Sequence, residues 1–158
     1  VAGAAVGIGT TMLLHCDLVY ATPNARLQLP FVNLGLVPEA ASSLLLPALA
    51  GYQRAAELLL LGEPFSAQKA KEIGLVTEVV PEDLLLETAL AQAKKLAQKP
   101  AASVRLTKQL MKRSFAAAMA QQMELEIGHY GELLGAPAAK EAFTAFFEKR
   151  KPDFSKFD

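Results

Sequence analysis

The sequence predicts an α/β protein in which short strands mix with helices up to about residue 80 and helices alone follow. Three observations carry this expectation. In the first half, β-prone or alternating segments such as residues 18–21 and 26–29 are cut off by proline and glycine turns. Beyond Pro81, apolar residues recur at helical spacing. Hydrophobic residues make up 52% and charged residues 20%, which is enough for a packed core and too apolar for disorder. A length of 158 residues suits one domain, or most of one.

The chain opens at Val1 inside an apolar extended segment, so a further segment upstream, or in another chain, is expected. Residues 3–17 then read as an extended start, a glycine turn at Gly7 and Gly9, and a short buried helix from about Ile8. Two readings of that turn stand. It is an ordinary tight turn in a core, or a helix mouth whose unpaired N–H groups hold an anion or an oxygen gaining charge. A dinucleotide fingerprint is excluded, since Met12 occupies the third glycine position and Asp17 follows too soon. The apolar run is too short for a membrane span, and no basic region marks it as a secretory signal.

Next, 18–21 is β-prone, Thr22, Pro23 and Asn24 form a turn, and 26–29 is a half-buried strand ended by Pro30. Residues 31–38 form an apolar loop. Glu39 follows it, the only acid between Asp17 and Glu57, ahead of a helix over 40–49. It is either an exposed first-turn acid favoured by the helix dipole, or a buried carboxyl whose apolar surroundings suit it to proton transfer. Gly51 and Gly62 bound a helix over 52–61. Ser66 caps another that stops at Gly74, and 75–80 is a short strand.

In the helical half, Leu86, Leu90, Ala93 and Ala97 mark one apolar face, and Pro100 separates that helix from one bearing Val104, Met111 and Phe115. Met119, Met123, Ile127, Tyr130 and Leu134 continue as a long stripe, read as core or subunit interface. Pro137 starts the last helix, with Ala142, Phe143, Phe146 and Phe147 on its apolar side. Lys149, Arg150 and Lys151 are a solvated helix end, or cations that meet phosphates.

Sixteen basic and sixteen acidic residues balance to zero, which argues against a nucleic-acid surface. The single cysteine, Cys16, excludes an internal disulfide and fits a reducing compartment. His15, Cys16 and Asp17 are read as core residues, and His129 has no ligand-like partners at helical spacing, so no metal site is expected.

Residues 3–9, 16–21, 29–36, 74–80 and 146–154, in that order, resemble the crotonase (enoyl-CoA hydratase/isomerase) superfamily, most closely its Δ3,Δ2-enoyl-CoA isomerases. The resemblance covers the C-terminal part of a family member, somewhat more than half. It implies a crotonase-like spiral of β-β-α units. Residues 1–80 would be the C-terminal part of that core, and 81–158 a helical region for oligomerisation and pocket closure. It also implies that the Ile8 backbone N–H is one of two oxyanion donors, worth roughly 3 kcal/mol to the transition state.

Family hydratases use two glutamates at positions that are Thr11 and Phe31 here. Isomerases use one acid further on, where Glu39 stands. The resemblance thus makes Glu39 the base that moves a 3-enoyl-CoA double bond to the 2-position. Another crotonase-type reaction, or a non-catalytic acyl-CoA-binding role, is the alternative. Gly7, Phe31 and Asn33 are then expected beside the substrate, with Phe146, Lys149 and Lys151 near the nucleotide end of the thioester. Coenzyme A is part of the substrate and no separate cofactor is expected. The implied assembly is a homotrimer or hexamer, in a bacterial cytoplasm or an organelle matrix rather than outside the cell.

Overall fold

The computed structural model describes residues 1–157. Strand β1 (Ala4–Val6) lies parallel to β3 (Arg26–Gln28), with Ala5 opposite Leu27. On its other side β3 runs antiparallel to β4 (Phe65–Ser66), pairing Leu27 with Phe65. A separate parallel pair joins β2 (Tyr20–Ala21) to β5 (Glu78–Val79). Leu27 is fully buried between the more exposed Arg26 and Gln28, the alternation expected of a strand with one face on the core. Two expected strands are shorter than their apolar runs. Leu18 is exposed ahead of β2, and Leu75 and Val76 enter the core before β5 begins.

Helix α1 (Ile8–Thr11) passes directly into a 3-10 turn over Met12–His15. It is not the buried helix expected: Thr10, Thr11 and Leu13 face inward, while Ile8 and Met12 are exposed. The core reading of His15, Cys16 and Asp17 is also corrected. Beyond the 3-10 turn the chain surfaces, His15 is half-buried, Cys16 and Asp17 are exposed, and the Asp17 carboxylate pairs with Lys108 and Lys112.

Helix α2 (Ser42–Ala50) begins two residues later than expected, because Ala40 and Ala41 both adopt left-handed conformations, φ 58° and 56°. Helix α3 (Tyr52–Leu61) ends at Gly62, whose φ of 63° favours glycine. The Ser66 hydroxyl accepts the Lys69 N–H and starts α4 (Ala67–Glu72).

The last three helices are α5 (Leu85–Ala97), α6 (Ala101–Leu134) and α7 (Pro137–Phe147). Their apolar stripes turn only partly to the core of this chain: Tyr130 and Leu133 of α6 and Phe143 of α7 are half-buried and pack against it. Leu86 and Leu90 of α5 are exposed, as are Met111 and Ile127 of α6. On α7 the buried face is Ala139, Ala142 and Ala145, with Phe146 and Phe147 outside. Short alanines let α7 press onto the loop at Gly35, where an added Cβ would stand 2.9 Å from the Ala139 nitrogen. The core lies between the sheet and helices α2 to α4, built on Leu27, Leu29, Phe31, Leu46, Leu58, Phe65 and Val76.

Candidate active site

A groove of about 660 Å³ runs from the end of β1 to α6. Gly7 and Ile8 form one rim, Phe31 and Leu34 the wall, and Ile127 and Tyr130 of α6 the far side. Glu39 also lines it and is the only acid that does.

The turn at its rim requires glycine, since Gly7 has φ 55° and ψ −118°. The Gly7 N–H is donated to the Gln28 carbonyl, and the Gly7 carbonyl accepts the N–H groups of Thr10 and Thr11 at 2.8 and 3.0 Å. Ile8 and Gly9 thus contribute the first-turn N–H groups that an α-helix cannot satisfy from within. The adjacent threonines are buried and divide two tasks. Thr10 Oγ1 donates to the Ala5 carbonyl at 2.5 Å, fixing the corner between β1 and α1. Thr11 Oγ1 donates to Glu39 Oε1, also at 2.5 Å.

Glu39 is half-buried, and it is not a first-turn acid of α2, which starts three residues later. Between them the backbone at Ala40 and Ala41 is strained, at a cost of about 1–2 kcal/mol per residue. Side chains from two elements hold it. His15 Nε2 lies 2.8 Å from the Ala40 carbonyl, and because a carbonyl only accepts, that nitrogen carries the proton. The Ala41 N–H donates to Glu126 Oε2 at 2.6 Å. Glu126 Oε1 accepts from the Ser43 N–H at 3.0 Å and the Ser43 hydroxyl at 2.5 Å.

Glu126 has no place in the sequence reading, Thr11 enters it only as a position without the hydratase carboxyl, and His15 only as a core residue. For Glu126 a signal existed: it sits three residues after Met123 and four before Tyr130, an acid within an apolar stripe. Such an acid requires buried partners.

Of the expected substrate residues, Gly7, Ile8, Phe31 and Glu39 meet at the groove. Asn33 does not line it. It is exposed, and its amide donates to the Gly62 carbonyl at 3.0 Å, alongside Gln28 Nε2 at 2.9 Å. Phe146, Lys149 and Lys151 stand exposed at the end of α7, and none of them lines the groove. Phe146 packs edge-on against Phe147, 5.8 Å between ring centres. Arg150, between the two lysines, binds both carboxylate oxygens of Glu141 and also Glu148. Hydrogen bonds from Arg150, then from the Asp153 N–H, push the Glu141 carboxyl down to about 2.

Among the described residues no group of three His, Cys, Asp or Glu side chains is placed to hold a metal ion. No helix there is long and apolar enough to cross a membrane.

The profile of the family described as "Enoyl-CoA hydratase/isomerase" matches residues 1–156. The chain is 36% identical over 152 residues to the 2,3-dehydroadipyl-CoA hydratase of Escherichia coli (strain K12), covering 96% of this chain and 60% of that protein. It is 37% identical over 154 residues to the 1,2-epoxyphenylacetyl-CoA isomerase of the same strain, covering 97% and 58%. Among solved structures it is similar to an enoyl-CoA hydratase/isomerase from Pseudoalteromonas atlantica T6c. The TM-score there is 0.94 and the identity 44%, over 98% of this chain and 63% of that one. The chain thus spans about three fifths of the length of these relatives. The match along nearly its whole length, together with the shared architecture, shows that this chain belongs to the enoyl-CoA hydratase/isomerase family and has the crotonase fold.

Proposed function

We propose that the protein is an acyl-CoA double-bond isomerase that converts a 3-enoyl thioester to the 2-enoyl thioester with Glu39 as its single base. The observation that carries the reading is the Glu39 carboxyl in the groove with Oε1 held by the Thr11 hydroxyl. That bond leaves Oε2 to exchange the proton. The C2 proton of a 3-enoyl thioester is acidified by both the carbonyl and the alkene. Glu39 removes it, the electron pair moves into a dienolate, and the oxygen takes the charge beside the Ile8 N–H. The same carboxyl returns the proton at C4, and the double bond lies between C2 and C3. No water is added, and the apolar side chains of Phe31 and Leu34 favour its exclusion.

Hydration is the second reading, supported by a relative named as a hydratase. Against it, Thr11 and Phe31 carry no carboxyl to position water. A homo-oligomer belongs to the same proposal, supported by the exposed Met111 and Ile127 on α6. The test is incubation of the full chain with 3-enoyl-CoA, followed by absorbance and product mass. Formation of 2-enoyl-CoA without gain of mass is expected, and Glu39→Gln should lower kcat by about 10²–10⁴-fold. Rapid formation of a 3-hydroxyacyl product defeats the isomerase reading, and a variant with unchanged turnover removes Glu39 from the chemistry.

A further inference from the structure

Proton transfer at Glu39 makes no use of the one buried residue of α6, Glu126, which is 4% exposed on a helix whose other residues are exposed or half-buried. A carboxylate removed from water needs strong partners. Among the described residues it forms no salt bridge, and its partners lie where the loop that carries Glu39 runs into α2. They are the Ala41 N–H, the Ser43 N–H and the Ser43 hydroxyl. These donors sit at the start of α2, where N–H groups lack intrahelical partners and the helix dipole favours an anion. Ala41 stands at the capping position and has no side-chain oxygen to serve there. Glu126 supplies that cap from 85 residues away.

We infer that Glu126 is a positioning residue for Glu39. By holding Ala41 and Ser43 it keeps Ala40 and Ala41 left-handed, and so keeps the Glu39 carboxyl against Thr11. Alanine does not favour that conformation by itself, so the turn depends on its anchors. The next residue of α6, Ile127, lines the groove, as does Tyr130. One helix therefore locates both the base and the wall it faces. The catalytic consequence rests on the isomerase reading, whereas the positional claim does not.

Two readouts separate them. The first is a crystal structure of Glu126→Gln, a variant of the same shape that turns one accepting oxygen into an amide facing a donor. Ala40 and Ala41 are expected to leave the left-handed region and Glu39 to leave Thr11. A loop that stays in place overturns the inference. The second is kinetic. Glu126→Gln should lower kcat about 10- to 100-fold with KM changed little, because the reacting groups are misplaced. In a background of Ala40→Gly and Ala41→Gly the same substitution should cost several-fold less, since glycine adopts the turn freely. Equal losses in both backgrounds overturn the inference.

Should Glu126→Gln fail to fold, Ser43→Ala removes one donor and leaves the carboxylate. A smaller fall in kcat is then expected, and an unchanged kcat counts against the inference. A wild-type protein without isomerase turnover, combined with a displaced loop in the variant, sinks the isomerase reading and supports the positioning role.

Discussion

Thr11 donates its hydroxyl proton to Oε1 of Glu39 across 28 residues of sequence. The short helix that presents the Ile8 N–H therefore also orients the proposed base. Thr11→Val keeps the size of the side chain and removes the donor, whereas Thr11→Ser keeps the hydroxyl. The valine variant is expected to lose about 10-fold or more in kcat at nearly unchanged KM, and the serine variant to retain most of it. Equal rates in all three proteins would show that the contact has no part in catalysis.

A single carboxyl that removes and returns one proton also predicts an isotope result. With deuterium at C2 of a 3-enoyl-CoA, part of the label is expected at C4 of the product. Thr11→Val should lower that fraction, because an unanchored acid exchanges with solvent more readily. Complete washout in the wild type would point to separate groups for the two steps.

Asn33 is expected to act on stability rather than on substrate. Its amide donates to the Gly62 carbonyl at the C-terminus of α3, and the lack of a side chain at Gly62 lets it lie there. Asn33→Ala should lower stability by about 1 kcal/mol in a denaturant titration, with KM unaltered. A raised KM at unchanged stability would restore Asn33 to the substrate site.

Gly35→Ala is expected to be more severe. Its φ is 66°, and the new Cβ would lie 2.9 Å from the Ala139 nitrogen and 3.0 Å from the Ala138 carbonyl carbon. Left-handed strain plus displacement of α7 should cost about 2–4 kcal/mol, read as a lower Tm. A Tm within a degree or so of the wild type would contradict the close approach of α7.

Acid should release the segment after α7. Arg150 and the Asp153 N–H hold Glu141 at about 2, below its ordinary 4.5. A depressed carboxyl stabilises the folded contact fully above 4.5 and loses that effect as the pH falls towards 2. Amide resonances of residues 151–157 should shift through that window while those of α7 hold, and Glu141→Gln should release the segment at neutral pH. Resonances that ignore the carboxyl's titration would show that the tail is held by other means.

Local signals made much of the fold legible. Gly51 and Gly62 bracket α3 as expected, Ser66 caps α4, and Pro137 opens α7. Elements failed where tertiary contact overrides local preference. Ala40 reads as a good helix former yet lies outside α2, because His15 and Glu126 hold the backbone beside it in another conformation. Strand β4 leaves no signal in the sequence, since its two residues, Phe65 opposite Leu27 and Ser66 opposite Arg26, are too few to show periodicity. The apolar faces of α5 and α6 were legible as stripes, but a stripe says that a face prefers cover and not what covers it. At the site, the glycine turn and Glu39 stood out as segments. The contacts that hold the Glu39 loop, from Thr11 and Glu126, span 28 and 85 residues, so local spacing names neither pairing, although an acid within an apolar stripe marks Glu126 as needing a partner.

The paired threonines have a consequence for length. Thr10 faces the β1 carbonyl at Ala5 and Thr11 faces Glu39, so the two hydroxyls act as a ruler counted from Gly7. Inserting or deleting one residue in that interval would rotate the helix by about 100° and swing the second hydroxyl off the acid, whatever residue was added. The interval between hinge and hydroxyl is thus a dimension of the machine, fixed in its count as well as in the residues that mark its ends.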